Sequence, residues 1–162
     1  MPLGTKNKVF LVIGVIVMAC FMVLFAYQQR TKDEVNAMPQ REITLAGVTL
    51  RTWVATTATQ QRQGLAGRAS LDATAAMLFP YDRPAVRYFW MQGMNFPIDI
   101  IWIKNGVVVG WQKNVPPPTP EQLQPVRMVS PQPVDTVLEV AAGFVSRSGL
   151  VVGDPVSGLT DN

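Results

Sequence analysis

Residues 86–103 read V-R-Y-F-W-M-Q-G-M-N-F-P-I-D-I-I-W-I, an apolar run interrupted by Gly93 and Pro97 and carrying a single acid, Asp99. The pattern predicts two strands, Val86 to Met91 and Ile98 to Lys104, joined by a turn around Gly93 and Pro97. On the second strand Asp99 shares a face with Ile101 and Ile103, while Ile98, Ile100 and Trp102 point the other way. Both faces are apolar, which places this strand inside a sheet or small barrel with cover on both sides. A carboxylate buried there must lose its charge or recruit a partner, because desolvating it costs several kcal/mol.

Working outward, Asn105-Gly106 is the dipeptide that type I′ turns favour, so Val107 to Trp111 is expected to return antiparallel. Ile43 and Leu45, then Val48 and Leu50, alternate with polar neighbours around Ala46-Gly47, as a hairpin with one buried face does. Thr57 or Thr59 can cap a short helix over Gln60 to Gln63, which Gly64 ends. Ala76 to Phe79 reads as a short strand stopped by Pro80. Lys113 to Pro125, with three consecutive prolines at 116–118, must be a loop. Asp135 to Val140 reads as a strand, Phe144 to Ser148 as a helical turn, and Leu150 to Val156 as a turn into a last strand. The fold class expected is α+β and mainly β, a small antiparallel sheet curled toward a barrel with one or two short helices.

Ahead of this domain, Val9 to Tyr27 contains no charged residue and no proline. As a helix it would span about 28 Å, close to the hydrocarbon core of a bilayer. The expected organisation is a cytoplasmic tail (1–8), a transmembrane anchor in contact with membrane lipid (9–27), a polar linker (28–40) and an extracytoplasmic globular domain (41–162). The short basic opening with Lys6 and Lys8 favours a cytoplasmic N-terminus in an inner or plasma membrane. Secretion after cleavage near Ala26 is the alternative, disfavoured by the length of the run. Cys20 follows Val17-Met18-Ala19 in a loose likeness of a lipoprotein cleavage box, but the apolar run continues past it, so Cys20 reads as a helix residue.

The chain has 162 residues, 48% of them apolar, with one cysteine, no histidine and a net charge of +3. Without histidine or a thiol in the globular part, Ser-His-Asp triads, Cys-His pairs and ordinary zinc sites are excluded. Two of the three net charges are Lys6 and Lys8, so the globular part is nearly neutral and nucleic acid is not expected as a partner. No cofactor or metal is expected.

Gly64-Leu65-Ala66-Gly67-Arg68, Met77-Leu78-Phe79, Phe89-Trp90-Met91, Phe96-Pro97-Ile98-Asp99-Ile100, Val137-Leu138-Glu139 with Ala142-Gly143, and Gly153-Asp154 stand in an order and spacing that resemble domain-of-unknown-function family 192. The likeness runs from about Glu42 to Val156. It implies a small α+β domain with a curled sheet, and no agreed reaction. Relatives usually read W-M-K-N-T where this chain has Trp90-Met91-Gln92-Gly93-Met94, and tend to carry glutamates where it has Gln60 and Gln61.

The candidate binding residues are Arg62, Arg68, Trp90, Gln92 and Asp99. Arg62 and Arg68 flank the Gly64–Gly67 turn, either as an anion-binding corner or as structural ion-pair partners. Asp99 is expected to pair with one of them, tying the helix-turn to the sheet. The competing reading is a hydrolase acting on an envelope polymer that uses Asp99 as a general base with Arg62 or Arg68; a two-carboxylate reaction would take Glu139 or Asp154 as the second acid. The tryptophans are either a carbohydrate- or peptide-binding platform or simply core. The function expected is a membrane-anchored extracytoplasmic binding or accessory domain, with an envelope polymer or a protein as partner.

Overall fold

The computed structural model of the protein describes residues 13–26, 38–119 and 126–159. It falls into two compact units, Met1–Ala37 and Met38–Asn162. In the first, residues 13–26 form helix α1. Among the described residues no helix is long and apolar enough to cross a membrane. The expected tail (1–8), the ends of the expected anchor, most of the linker and residues 120–125 of the proline loop lie outside the described residues.

Among the described residues the second unit has nine strands and two short helices: β1 (Gln40–Leu45), β2 (Val48–Val54), α2 (Ala58–Gln63), β3 (Ala75–Ala85), β4 (Tyr88–Trp90), β5 (Ile98–Lys104), β6 (Val107–Val115), β7 (Arg127–Val129), β8 (Val134–Ala141), α3 (Phe144–Ser148) and β9 (Val156–Ser157). Seven strands form one sheet in the order β6-β5-β8-β3-β2-β1-β9. Its two edges meet at one end. Val107 bridges Pro155, and Val108 N–H donates to the Asp154 carbonyl at 3.0 Å while Val156 N–H donates to Gly106 at 2.8 Å. The result is a curled half-barrel, mainly β, with few helices.

Inside the curl, Ile43, Leu45, Leu50, Val54, Leu78, Ile101, Ile103, Leu138 and Val140 pack into one cluster that Phe144, Val145 and Leu150 complete. The opposite face of the same strands is buried too: Met77, Phe79, Ile98, Ile100, Trp102 and Val137 are all closed to solvent. Burying a side chain of this size stabilises the fold by about 1.5–3 kcal/mol. This outer layer is covered by α2, the 64–68 turn and a two-stranded ribbon of β4 and β7. Phe89 of the ribbon pins it down, meeting Phe79 edge-on at 5.0 Å and Trp102 at 5.8 Å.

Both expected hairpin turns are present, with Ala46 and Gly47, and Asn105 and Gly106, at positive φ. Three local expectations need correction. The two strands expected in residues 86–103 do not pair with each other: β4 pairs with β7 in the separate ribbon, and β5 pairs with β6 and β8. The sheet is not wholly antiparallel, since β2 and β3 run parallel, which the long crossover through α2 permits. Pro80 does not stop β3 either. It pairs with Thr136 and is followed by a register shift before Ala85, a place where a missing N–H is tolerated.

Gly158, just beyond β9, lies at φ +83 with its α-carbon turned onto the Glu42 carbonyl of β1. A methyl group there would collide with backbone as well as strain the chain. Gly158→Ala is therefore expected to destabilise the domain by about 2 kcal/mol and to speed hydrogen exchange at Thr44 and Ser157, which pair at the β1–β9 edge, more than at β8. Equal stability with unchanged exchange would contradict this packing.

Candidate functional site

Alternation along β5 and β8 separates two buried acids. Asp99 lies opposite Val140 and Ile100 opposite Glu139, so Asp99 and Glu139 project from opposite faces of the sheet. Asp99 is fully buried on the inner side. Its Oδ1 accepts hydrogen bonds from Asn114 N–H at 2.7 Å and Gly143 N–H at 3.2 Å, and its Oδ2 accepts from Val145 N–H at 2.9 Å. Backbone donors, not arginine, satisfy this carboxylate. They tie β6 and the start of α3 to the middle of the sheet.

The expected pairing of Asp99 with Arg62 or Arg68 is thus replaced. Arg62 lies in the last turn of α2, and the Arg68 guanidinium lies 4.2 Å from the centre of the Trp53 ring, a cation–π contact. The helix that positions Arg62 is held by a capping box: Thr57 accepts from Gln60 N–H, and Gln60 Oε1 accepts from the Thr56 and Thr57 N–H groups at 2.9 and 3.1 Å. Gln61 Nε2 donates to the carbonyls of Ala55 at 3.2 Å and Pro80 at 3.1 Å. A glutamate at position 61 could not make those two bonds, so this departure from the family pattern serves the backbone. Gly67 N–H donates to Gly93 at 2.9 Å and Asn95 Nδ2 to the Arg68 carbonyl at 2.9 Å, joining the 64–68 turn to the 91–97 turn.

Beneath these joined turns lies a cavity of about 220 Å³. Its walls are Phe79, Tyr81, Tyr88, Phe89 and Trp90; its rim carries Arg62 and Gln92; Glu139 is at its base beneath Gly64. The structure therefore brings together Arg62, Trp90 and Gln92 of the sequence candidates, and leaves Arg68 and Asp99 outside. Met94 is buried and lines the wall.

Glu139 is only 5% exposed, and its Oε2 has no hydrogen-bond partner. Burial alone, with no cation offsetting it, pushes its carboxyl from the ordinary 4.5 up to about 8. At neutral pH it is a neutral acid, able to donate as well as accept. The sequence signal for it was modest: an acid within the apolar run Val134–Ala141, read only as a second acid for Asp99. Among the described residues no cluster of three His, Cys, Asp or Glu side chains is placed to hold a metal ion.

Residues 41–158 match the family DUF192, described as "Uncharacterized ACR", and the chain belongs to this family. It is similar to the crystal structure of a proposed transcription regulator from Sinorhizobium meliloti 1021, with 28% identity, a TM-score of 0.67, and 75% of this chain and 95% of that one covered. It is also similar to a protein of unknown function from Novosphingobium aromaticivorans DSM 12444, at 27% identity and TM-score 0.67, with 74% of this chain and 85% of that one covered. No curated protein matches the chain.

Two outcomes follow from the two acids. Asp99→Asn is expected to lower stability by about 2–4 kcal/mol, because an amide offers one acceptor oxygen to three donors. Combined with Arg68→Ala it should add within about 0.5 kcal/mol in denaturant titrations; strong coupling would restore the ion pair. For Glu139 the sign is opposite. Below the ordinary 4.5 both folded and unfolded chains hold the proton, while from there to about 8 only the folded one does, so stability falls as pH rises through that window and is level beyond it. Glu139→Gln is expected to flatten this slope and raise Tm at pH 8 by about 5 °C. A wild-type Tm that climbs from pH 5 to pH 8 would contradict it.

Proposed function

We propose that this is a ligand-binding domain carried outside the cell membrane on an anchor spanning residues 9–27, and that it holds an envelope polymer in the Glu139 cavity. The observation that supports binding is the buried, unpartnered Glu139 Oε2 at the base of an aromatic cavity, a polar group awaiting a partner that the chain itself does not supply. Few polar groups converging in an apolar concavity are the usual make-up of a ligand site.

The hydrolase alternative has less support. Two-carboxylate hydrolysis requires a second acid about 5–9.5 Å from the first, across the scissile bond. Among the described residues Glu139 is the only acid lining the cavity, and Asp99 is enclosed on the other face of the sheet.

A sedimentation assay of the full-length protein with purified, insoluble cell-wall polymer tests this reading. The protein is expected to co-sediment, to do so at least about fivefold more weakly after Trp90→Ala, and to release no new reducing ends. Reducing ends that disappear in Asp99→Asn would favour the hydrolase instead. The anchor is tested separately: the full chain should stay in the membrane pellet after an alkaline wash and be cut by protease added from outside. Recovery of a soluble chain beginning near Ala26 would replace the anchor with secretion.

A further inference from the structure

We propose that the Glu139 cavity accepts one ring of a saccharide, which stacks on Tyr88 and Trp90 and exchanges hydrogen bonds with Glu139, Gln92 and Arg62. This deepens the binding reading above and rests on it.

The size of the cavity argues first. At about 220 Å³ it falls below the range of about 300–1,000 Å³ that encloses a drug-sized molecule, so it suits one ring or one side chain. The surface beside it has room for the rest of a polymer. Tyr88 and Trp90 are 57% and 43% exposed, and Val129, opposite Tyr88 on β7, is 42% exposed, giving an apolar strip that leads away from the cavity mouth. Sugar rings present flat C–H faces that suit aromatic platforms, and hydroxyls that suit polar groups at the edge.

The polar groups are free to engage. The Arg62 and Gln92 side chains are exposed on the cavity lining, and Glu139 Oε2 has no hydrogen-bond partner. A hydroxyl both donates and accepts, as does the neutral Glu139 carboxyl, so the pair satisfies itself without a buried charge.

Charge decides against an ammonium ligand. The charged or titratable groups facing Glu139 are Arg62 from α2, Tyr81 from β3 and Tyr88 from β4; β5 contributes Ile100, and Arg87 sits 3.6 Å over the Tyr81 ring. With Glu139 neutral, the one charge among the described lining residues at pH 7 is the Arg62 cation, and a second cation, Arg87, already occupies the Tyr81 face. A positive ligand would be repelled where a neutral one would not.

The test is saturation-transfer NMR on the full-length protein with four probes: N-acetylglucosamine, maltotetraose, tetramethylammonium and glutarate. Saturation of ring protons in at least one saccharide is expected, lost in Trp90→Ala. Binding should hold steady up to pH 7 and be about tenfold weaker at pH 9, as Glu139 ionises. Glu139→Gln, which keeps a neutral donor and acceptor, is expected to bind within about threefold of wild type and to lose the pH dependence. Tetramethylammonium binding that tightens with pH, or glutarate binding alone, would overturn the saccharide assignment while leaving a ligand cavity in place. Saturation of no probe would overturn both.

Discussion

A sheet with two covered faces has nowhere to put a charge cheaply, yet this one carries acids on two neighbouring strands, Asp99 on β5 and Glu139 on β8. They have opposite fates. Asp99 points into the curl, where three backbone N–H groups from two separate segments converge on it, and the desolvation of the carboxylate is offset by charge-assisted hydrogen bonds. The curl depends on that convergence, since it fixes where β6 ends and where α3 begins. Glu139 points outward into a layer of aromatic rings and meets no donor.

What separates the two acids is therefore satisfaction, not burial. An acid whose acceptors are all occupied by its own backbone offers nothing to a ligand. One that is enclosed, neutral and unpartnered at the foot of a cavity offers a hydrogen bond in a dry setting, where it counts for more. The cover over Glu139 is modest. A six-residue helix, two glycine-containing turns joined by a pair of hydrogen bonds, and a ribbon held by Phe89 make up the walls. Gly64 matters in this roof, because its backbone passes over Phe79 and Glu139 at positive φ, where a side chain would be strained.

Much of the fold was legible in the sequence because its signals are local. Alternation at Ile43–Leu50, the Asn105-Gly106 turn and the Thr57 cap each act within a few residues, and each is present in the structure. The DUF192 resemblance was carried by motifs in register and holds over residues 41–158. What was not legible depends on partners far along the chain. The three residues of β4 find β7 across the proline-rich segment, and a strand that short has no periodicity to announce its partner. Asp99's donors are backbone groups at positions 114, 143 and 145, which any residue type but proline could supply, so spacing pointed to arginines instead. The site was half legible. Arg62, Trp90 and Gln92 line one cavity, whereas Glu139 became its centre only once the face of β8 was known.

The central claim is that Glu139 is an unpaired, neutral acid in the folded protein, and carboxyl-carbon NMR measures that directly. With glutamate labelled at the side-chain carboxyl carbon, and the Glu139 resonance assigned by its absence in Glu139→Gln, a pH titration reads its protonation. A midpoint near 8 is predicted, well above the ordinary 4.5. A Glu139 midpoint close to the ordinary 4.5 would mean that water or a cation reaches the carboxylate, and would contradict the account.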